Sequence, residues 1–485
     1  MTHATTIRLL KGTIGNPLTR TLLRGLSTFC DKCGKNRVEV AVELYTGQRE
    51  EACLACTAGA RLIARVLAKG AEAFGLSEEE MKEKFTDPYW ARGLASTVRG
   101  IAQFGVTKPF TPGAPFQVVW DITYRCNLRC QHCYATAGEP EKDELSTKEA
   151  LRAIDLLARA GVTVLAFSGG EPLVRPDIFQ LTRHAAERGM YVAVATNGTL
   201  VTRKKAARMK ENGVEFVQIS LDGLDAETHD AFRGVEGAFD RTVEGIKNSV
   251  AEGFFVEVST TVTRHNYRQI PEIIDFSERL GADWFMAYNF VPTGRGRDIV
   301  AHDLSPEERE DMLHMLWREL KADRNINVLS TAPQFARVAL QQEGKGDCTT
   351  VPTHFYNPTL AGQLVDLAEF IGGCGAGRFY LAMRANGDLQ PCVFFPLKVG
   401  NIRDGDLERV WQNSRVLQEL RNKDLPERCG GCHYRYYCGG CRARAYGYTG
   451  NYLAPDPGCI NNREVYHRLT CHVQQPVQAT GSRPG

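Results

Sequence analysis

Short apolar runs alternate with amphipathic segments of helical length through the middle of the chain. The runs are rich in Val, Ile, Phe and Thr, which is typical of buried strands. Strands separated by helices pair in parallel through βα units. The pattern therefore predicts an α/β fold, either a doubly wound sheet or an open partial barrel of six units. The predicted strands are Phe116–Thr123, Val162–Ser168, Tyr191–Thr196, Phe216–Leu221, Phe255–Val262 and Trp284–Val291.

The pattern changes on both sides of this central region, which spans about 116–300. Residues 1–115 hold two cysteine pairs and two amphipathic helical stretches, and end in a linker with three prolines. Residues 301–372 look helical and serve as a connector, while residues 373–485 are rich in cysteine, glycine and aromatic side chains. We expect function-bearing residues of the central region at the C-terminal ends of its strands.

Composition narrows the class of protein. The chain has 485 residues, of which 43% are hydrophobic and 24% charged, as in ordinary globular proteins. Its net charge of +2 does not favour nucleic-acid binding, and no apolar run approaches the ~20 residues of a transmembrane helix. Without a recognisable secretory signal, the cytoplasm is the expected location. The sixteen cysteines come in short spacings, which favours metal ligation over disulfides; only Cys348 and Cys471 lie outside every pattern.

Three cysteines follow the first predicted strand. They form the segment Cys126-Asn-Leu-Arg-Cys130-Gln-His-Cys133. Three thiolates can hold three irons of a 4Fe–4S cluster and leave the fourth iron open. A structural zinc ion would normally take four protein ligands, so the spacing indicates a cluster.

Polar and glycine-rich motifs end the next three predicted strands. Together with the three cysteines, they resemble the radical SAM superfamily in order and position over about 116–300. The resemblance implies that the cluster at Cys126, Cys130 and Cys133 reductively cleaves S-adenosylmethionine to a 5′-deoxyadenosyl radical, which takes hydrogen from the substrate. The implied cofactor-binding residues are Gly169, Gly170, Glu171, Pro172, Asn197, Ser220, Asp222 and Arg233.

Single roles follow from the same resemblance. Glu171 would receive the amino group of the cofactor, Ser220 and Asp222 would contact its ribose, and Arg233 would meet its carboxylate. His132 either packs over the adenine or is an ordinary polar loop residue.

The C-terminal cysteines resemble the SPASM extension, which adds two auxiliary 4Fe–4S clusters. The resemblance assigns Cys374, Cys392 and Cys441 to one cluster, without a clear fourth ligand. It assigns four cysteines to the other, namely Cys429, Cys432, Cys438 and Cys459. Cys438 and Cys441 are separated by two residues where the common pattern has three, and this shorter form resembles the subgroup of haem d1 and alternative haem biosynthesis enzymes.

Two Cys-x-x-Cys pairs lie near the N-terminus, at Cys30 and Cys33 and at Cys53 and Cys56. Four such thiolates are typical of a tetrahedral site, with zinc the first choice and mononuclear iron the second. The alternation over Arg37–Tyr45 predicts one strand of a small metal ribbon. The basic stretches Leu62–Lys69 and Trp90–Phe104 either pack on the barrel or face a membrane surface or lipid substrate.

Three substrate classes remain from the sequence. Tetrapyrrole side chains in haem biosynthesis come first, and a peptide or an isoprenoid lipid are the alternatives. Such an oxidoreductase would need a reducing partner such as ferredoxin or flavodoxin. Propionate groups would need cationic partners, and the candidates are Arg125, Arg129, Arg295 and Arg297. The alternative role of these arginines is to balance the charge of the cluster.

Overall fold

The N-terminal region is a small helical unit around a two-stranded hairpin. The computed structural model describes residues 17–74, 77–343, 351–352 and 368–470. Cys348 and Cys471 lie outside these residues. Within the N-terminal unit, two short strands pair antiparallel. The elements are α1 (Pro17–Leu26), β1 (Phe29–Cys30), β2 (Lys35–Asn36), α2 (Arg37–Thr46), α3 (Leu54–Phe74), α4 (Glu78–Thr86) and α5 (Pro88–Phe104).

The strand predicted at Arg37–Tyr45 is wrong, because this segment forms helix α2. Asn36 caps the helix by accepting a hydrogen bond from the Val38 backbone N–H. Val38, Ala41 and Val42 also satisfy helical spacing, and they share a core with α3 and α5. The apolar pattern of this segment is compatible with a strand and with a helix. Packing against α3 and α5 stabilises the helix.

The central region forms one curved sheet with helices on its outer side. All six predicted strands are present, and two further parallel strands extend the run, one at each side. The strands are β3 (Gln117–Asp121), β4 (Val164–Ser168), β5 (Tyr191–Thr196), β6 (Val214–Ser220), β7 (Phe255–Val262), β8 (Trp284–Asn289), β9 (Asn327–Ser330), β10 (Tyr380–Met383), β11 (Asp388–Gln390) and β12 (Gly400–Asn401).

The sheet order is β12-β11-β10-β3-β4-β5-β6-β7-β8-β9. Strand β10 pairs in parallel with β3, while β11 and β12 turn back antiparallel. The C-terminal cysteine-rich region therefore continues the sheet of the partial barrel. This continuity places its first strand directly beside the strand that leads into Cys126.

Helices cover the outer face of the sheet and build the C-terminal region. The helix that begins at Thr147 is stabilised at its start by a reciprocal capping box between Ser146 and Glu149. The remaining helices are α6 (Thr147–Ala160), α7 (Ile178–Glu187), α8 (Arg203–Glu211), α9 (Ala226–Arg233), α10 (Ala238–Ala251), α11 (Ile270–Arg279), α12 (Pro306–Lys321), α13 (Gln334–Glu343), α14 (Ala368–Ile371), α15 (Leu407–Asn413), α16 (Arg415–Arg421), α17 (Arg442–Thr449) and α18 (Arg463–Thr470).

Helix α5, which contains the stretch Trp90–Phe104, packs on the barrel. Arg92 is buried and donates hydrogen bonds to the carbonyls of Val162, Ala158 and Arg188. This contact confirms the packing alternative for α5. Among the described residues, no helix is long and apolar enough to cross a membrane.

Candidate active site

The three cysteines of the central motif lie on the loop that follows β3. They share a small apolar cluster with Leu128 and Ala238. Burial raises the pKa of the Cys126 thiol to about 12, so a thiolate there requires nearby positive charge. Arg233 supplies part of it, with Nη1 3.7 Å from the Cys130 sulfur. This donor set suits a cationic iron cluster.

Gly169 and Gly170 are required by the close approach of this loop. A Cβ on Gly169, which has a φ of 126°, would lie 2.4 Å from the Thr123 carbonyl oxygen. A Cβ on Gly170 would lie 2.3 Å from the Arg125 carbonyl oxygen. The backbone N–H of Gly170 donates to Thr123 across this contact, at 2.7 Å. The glycines therefore fix the distance between the end of β4 and the cysteine loop.

Glu171 is fully buried and already engaged by protein groups. One carboxylate oxygen accepts hydrogen bonds from the Leu173 N–H and the Thr196 hydroxyl, and the other accepts from the Asn197 N–H. Burial raises the pKa of Glu171, and these donors oppose the rise. Glu171 thus ties the ends of β4 and β5 together, and its contact with a cofactor amino group stays a prediction. Pro172 starts the short 3₁₀ turn that follows.

Asn197 belongs to a polar clasp between the end of β5 and the cysteine loop. Its amide nitrogen donates to Asn127, whose own amide donates to the Thr199 hydroxyl. That hydroxyl donates back to Asn197. Sequence reasoning missed Asn127, although its position inside the cysteine motif could have indicated it.

Asp222 and Arg233 form a buried ion pair, 2.6 Å apart. Burial opposes ionisation of Asp222, but Arg233 holds its pKa below the usual range. Burial also lowers the pKa of His132 to about 3, so its ring is neutral where it stacks on Phe232 at 4.1 Å. The pair joins the segment after β6 to the end of α9. The Arg233 carbonyl, which accepts a hydrogen bond from the Arg129 N–H, joins α9 to the cysteine loop.

Ser220 lies at the end of β6 and is partly exposed. Its predicted ribose contact, like those of Asp222 and Asn197, stays a prediction.

The inner face of the curved sheet is the face opposite the helices, and we call the space that it borders the chamber. Alternate strand residues, such as Trp120, Ile219 and Val258, pack outward in the core beneath the helices. The intervening positions therefore face inward. Several of these inward positions carry small side chains, namely Val119, Ala166, Ala193, Ala195 and Ala382.

Two carboxyl groups on these inward positions have no cationic partner within 4 Å among the residues that the structure describes. Asp121 accepts a hydrogen bond from the Tyr134 hydroxyl at 2.9 Å, and Glu257 accepts from Gln218 at 2.5 Å. Burial raises the pKa of each carboxyl to about 7. Gln218 also donates to the Tyr288 hydroxyl, so the chamber wall is polar but largely uncharged. Sequence reasoning missed these residues, since single polar residues inside apolar strands carry no motif.

The C-terminal cysteines fall into two spatial groups. Cys429, Cys432, Cys438 and Cys459 line one cavity together with Arg337 and Asn462. Cys374, Cys392 and Cys441 are close enough that the charges of Cys374 and Cys441 raise the pKa of Cys392 further, beyond the effect of burial. The grouping matches the predicted division, and the individual ligand assignments stay predictions.

A buried ion pair supports this region. Asp456 and Arg444 are fully buried and 2.8 Å apart. Asp456 also accepts a hydrogen bond from the Cys441 N–H at 2.7 Å, and Gln334 of α13 donates to the same carboxylate. Asp456 lies three residues before Cys459, a predicted ligand of one auxiliary cluster. It therefore positions Cys441, a predicted ligand of the other auxiliary cluster.

The N-terminal cysteines form a different kind of site. The sulfurs of Cys30, Cys33, Cys53 and Cys56 all lie within 4.8 Å of one another, and no other group in the described part of the chain is as compact. Cys30 and Cys53 are 3.6 Å apart, close to the ~3.8 Å edge of a tetrahedron with 2.3 Å metal–sulfur bonds. This spacing fits one metal ion.

The arginines proposed for propionate binding either contact the cysteine loop or are exposed to solvent. Arg295 donates to the carbonyls of Cys130 and Ala137, and Arg129 donates to that of Cys126. Arg125 and Arg297 are exposed. Gly294 packs against the backbone of Cys133, where a Cβ would lie 2.4 Å from its carbonyl oxygen. Arg295 and Gly294 therefore support the cysteine loop.

Comparison with known proteins agrees with this geometry. Residues 120–277 match the Radical SAM superfamily, and residues 374–433 match an iron-sulfur cluster-binding domain, SPASM. The chain is 38% identical over 351 residues to an AdoMet-dependent heme synthase of Methanosarcina barkeri, a match that covers 72% of this chain and 97% of that protein. The chain belongs to the radical SAM superfamily. It is therefore an enzyme of radical chemistry that uses 4Fe–4S clusters and S-adenosylmethionine.

A second relative is a maturase by name. The mycofactocin maturase MftC of Mycobacterium tuberculosis is 36% identical, and the match covers 72% of this chain and 83% of the relative. The structure of Streptococcus suis SuiB bound to S-adenosylmethionine superimposes with a TM-score of 0.61 at 18% identity, over 88% of this chain and 93% of SuiB. The latter likeness shows a shared fold.

Proposed function

We propose that this enzyme converts propionate side chains of an iron tetrapyrrole, as in a late step of haem biosynthesis. The observation that carries the proposal is the similarity to the M. barkeri heme synthase, which extends over nearly the whole of that protein. The inner face supports it, because the cysteine loop and the C-terminal region meet there, where Tyr134 packs edge-on against Phe394 at 5.1 Å.

In this function, the bound cluster and S-adenosylmethionine supply the radical that removes hydrogen from the substrate. The protein's own residues provide the surroundings. Gly169 and Gly170 set the spacing of the cysteine loop, Glu171 joins β4 to β5, and the Asp222–Arg233 pair fixes α9 beneath the loop. The polar wall around Tyr134 and Tyr288 would orient the side chain that reacts.

The test is an anaerobic reaction with iron-coproporphyrin III, S-adenosylmethionine and dithionite. Conversion of a propionate to a vinyl group transfers one hydrogen atom to the 5′-deoxyadenosyl radical, releases the carboxyl group as carbon dioxide and a proton, and passes one electron to an acceptor, for which an auxiliary cluster is the candidate. The product mass therefore falls by that of carbon dioxide and two hydrogen atoms. We expect this product together with 5′-deoxyadenosine, and neither from a variant with Cys126, Cys130 and Cys133 all changed to Ala. Absence of any tetrapyrrole product from active enzyme would contradict the proposal.

A peptide substrate is the second candidate, and the similarity to the mycofactocin maturase favours it. The same assay distinguishes the two, since 5′-deoxyadenosine formation stimulated by a precursor peptide and not by a tetrapyrrole would support the maturase. An isoprenoid lipid and contact with a membrane surface stay predictions. Their structural support is limited to exposed leucines on α1 and α3, such as Leu18 and Leu54.

Two accessory features belong to the same proposal. The N-terminal four-cysteine site would hold one zinc ion, because its compact tetrahedral spacing is closed by four thiolates. Metal analysis of purified protein tests this, and a rubredoxin-type iron spectrum would contradict it. Ferredoxin or flavodoxin would reduce the enzyme in the cytoplasm, which predicts that reduced flavodoxin can replace dithionite in the assay.

A further inference from the structure

An arginine outside every sequence motif lies at the mouth of the chamber. Arg384 directly follows β10, which pairs in parallel with β3 so that Met383 lies opposite Trp120. Leu381 and Met383 pack outward in the main core. Arg384 therefore shares the inner face with Asp121, the next residue of β3.

The position of Arg384 joins the cysteine loop to the C-terminal region. Its Nε donates to the Tyr124 hydroxyl at 2.7 Å, and its guanidinium lies over the Tyr124 ring at 5.2 Å. Tyr124 is two residues before Cys126. On the far side of the chamber mouth, Tyr134 follows Cys133 and donates to Asp121. An occupant of this mouth would lie between the loop and the guanidinium.

Part of the guanidinium is available to a ligand. Its only carboxylate partner in the described residues is Glu141, at 3.4 Å, and both side chains are partly exposed, 32% and 42%. Such an exposed, long ion pair contributes little. Nη1 donates no hydrogen bond to any described residue, so this nitrogen is available to a ligand.

We propose that Arg384 binds a carboxylate of the substrate at the chamber mouth and so determines specificity for carboxylate-bearing substrates. This inference rests on the proposed function and names the residue that would hold a propionate. A guanidinium suits this role because its planar N–H groups match the two oxygens of a carboxylate. Of the arginines singled out in the sequence, Arg295 instead uses Nε and Nη1 to hold the carbonyls of Cys130 and Ala137.

The test is absorption titration of the cluster-loaded protein with iron-coproporphyrin III and with its tetramethyl ester. Arg384→Ala should weaken binding of the free acid about 10-fold to 100-fold, as expected for the loss of a charged hydrogen bond. Binding of the ester should not change. Arg384→Lys, which keeps the charge without the fork, should fall between wild type and Arg384→Ala.

A matched control is Arg403→Ala. Arg403 lies in the same C-terminal region, is exposed, and pairs with Glu149, so its loss should leave both affinities unchanged. Iron content and melting temperature show whether each variant is folded. Equal affinity of wild type and Arg384→Ala for the free acid would overturn the inference, as would equal weakening of acid and ester. Failure of wild type to bind either compound would instead overturn the proposed function.

Discussion

The two cysteine sites at the start of the chain and at the start of the barrel use the same ligand for opposite purposes. The N-terminal site brings four sulfurs within 4.8 Å of one another, a spacing that fits one metal ion. The site after β3 has three cysteines, which are spaced more widely and surrounded by buried polar contacts from β4, β5 and α9. The number and spacing of thiolates thus separate a site built for stability from one built for reaction.

The surroundings differ as much as the ligands. The N-terminal cysteines contact mainly small apolar neighbours such as Val40 and Ala52. The cysteine loop is instead held by charged and amide groups, among them Arg233 and Asn127. A structural ion needs only its ligands, whereas an open cluster needs its loop held at a fixed distance from the cofactor. Four predictions test this contrast.

The largest effect should come from the loop. Replacing Cys126, Cys130 and Cys133 together by Ala should remove about four of about twelve cluster irons and abolish cofactor cleavage. The N-terminal metal should remain, because its four ligands are untouched. Iron and zinc analysis with chromatography of 5′-deoxyadenosine provides the measurement. Continued formation of 5′-deoxyadenosine would refute the assignment.

Removal of the N-terminal metal should affect stability more than chemistry. Cys30→Ser combined with Cys33→Ser should lose one metal ion and lower the melting temperature, since a closed site contributes folding free energy. Protein that stays folded should still cleave S-adenosylmethionine. Complete loss of cleavage in folded protein would indicate a redox role, and the two sites would then be less different than the structure suggests.

Glu171→Ala should act on both binding and stability. It removes three hydrogen bonds to a buried carboxylate, with an expected cost of about 3 kcal/mol. We also expect weaker binding of S-adenosylmethionine with unchanged iron content, measured by titration and metal analysis. Glu187→Ala, at the end of α7, is the control for loss of an acidic side chain. Unaltered cofactor affinity would show that Glu171 serves only to join the strands.

The smallest effect should come from the joint between the two regions. Arg92→Ala removes three hydrogen bonds to carbonyls of the barrel, at a cost of about 2 kcal/mol. Both metal sites should keep their content, since Arg92 contacts neither set of cysteines. Thermal unfolding measures the loss of stability. Arg61→Ala is the control, because Arg61 is an exposed residue of α3. No shift in melting temperature would mean that α5 is held by its apolar face alone.

Much of the fold could be predicted because the signals are local. Each of the six central strands is a short apolar run. The spacing of its apolar residues distinguishes it from the flanking helices, whose apolar residues recur every three or four positions. The strand predicted over Arg37–Tyr45 failed because its period was ambiguous, and packing of Val38 and Val42 against neighbouring helices selected α2. Strands β9 and β10 were not predicted, because an apolar run of four residues occurs by chance too often to indicate a strand.

The cysteine spacings, the glycines after β4 and the family were determined by the sequence alone, since ligand number and close backbone approach dictate residue type. Tertiary structure decided which charges are free. Arg295 and Arg384 look alike in sequence, yet the first donates to backbone carbonyls of the cysteine loop, whereas the second donates to the Tyr124 hydroxyl and has a long ion pair with Glu141. The reason is physical: β10 reaches β3 only after more than 250 residues of intervening chain, and no local pattern encodes a contact of that separation.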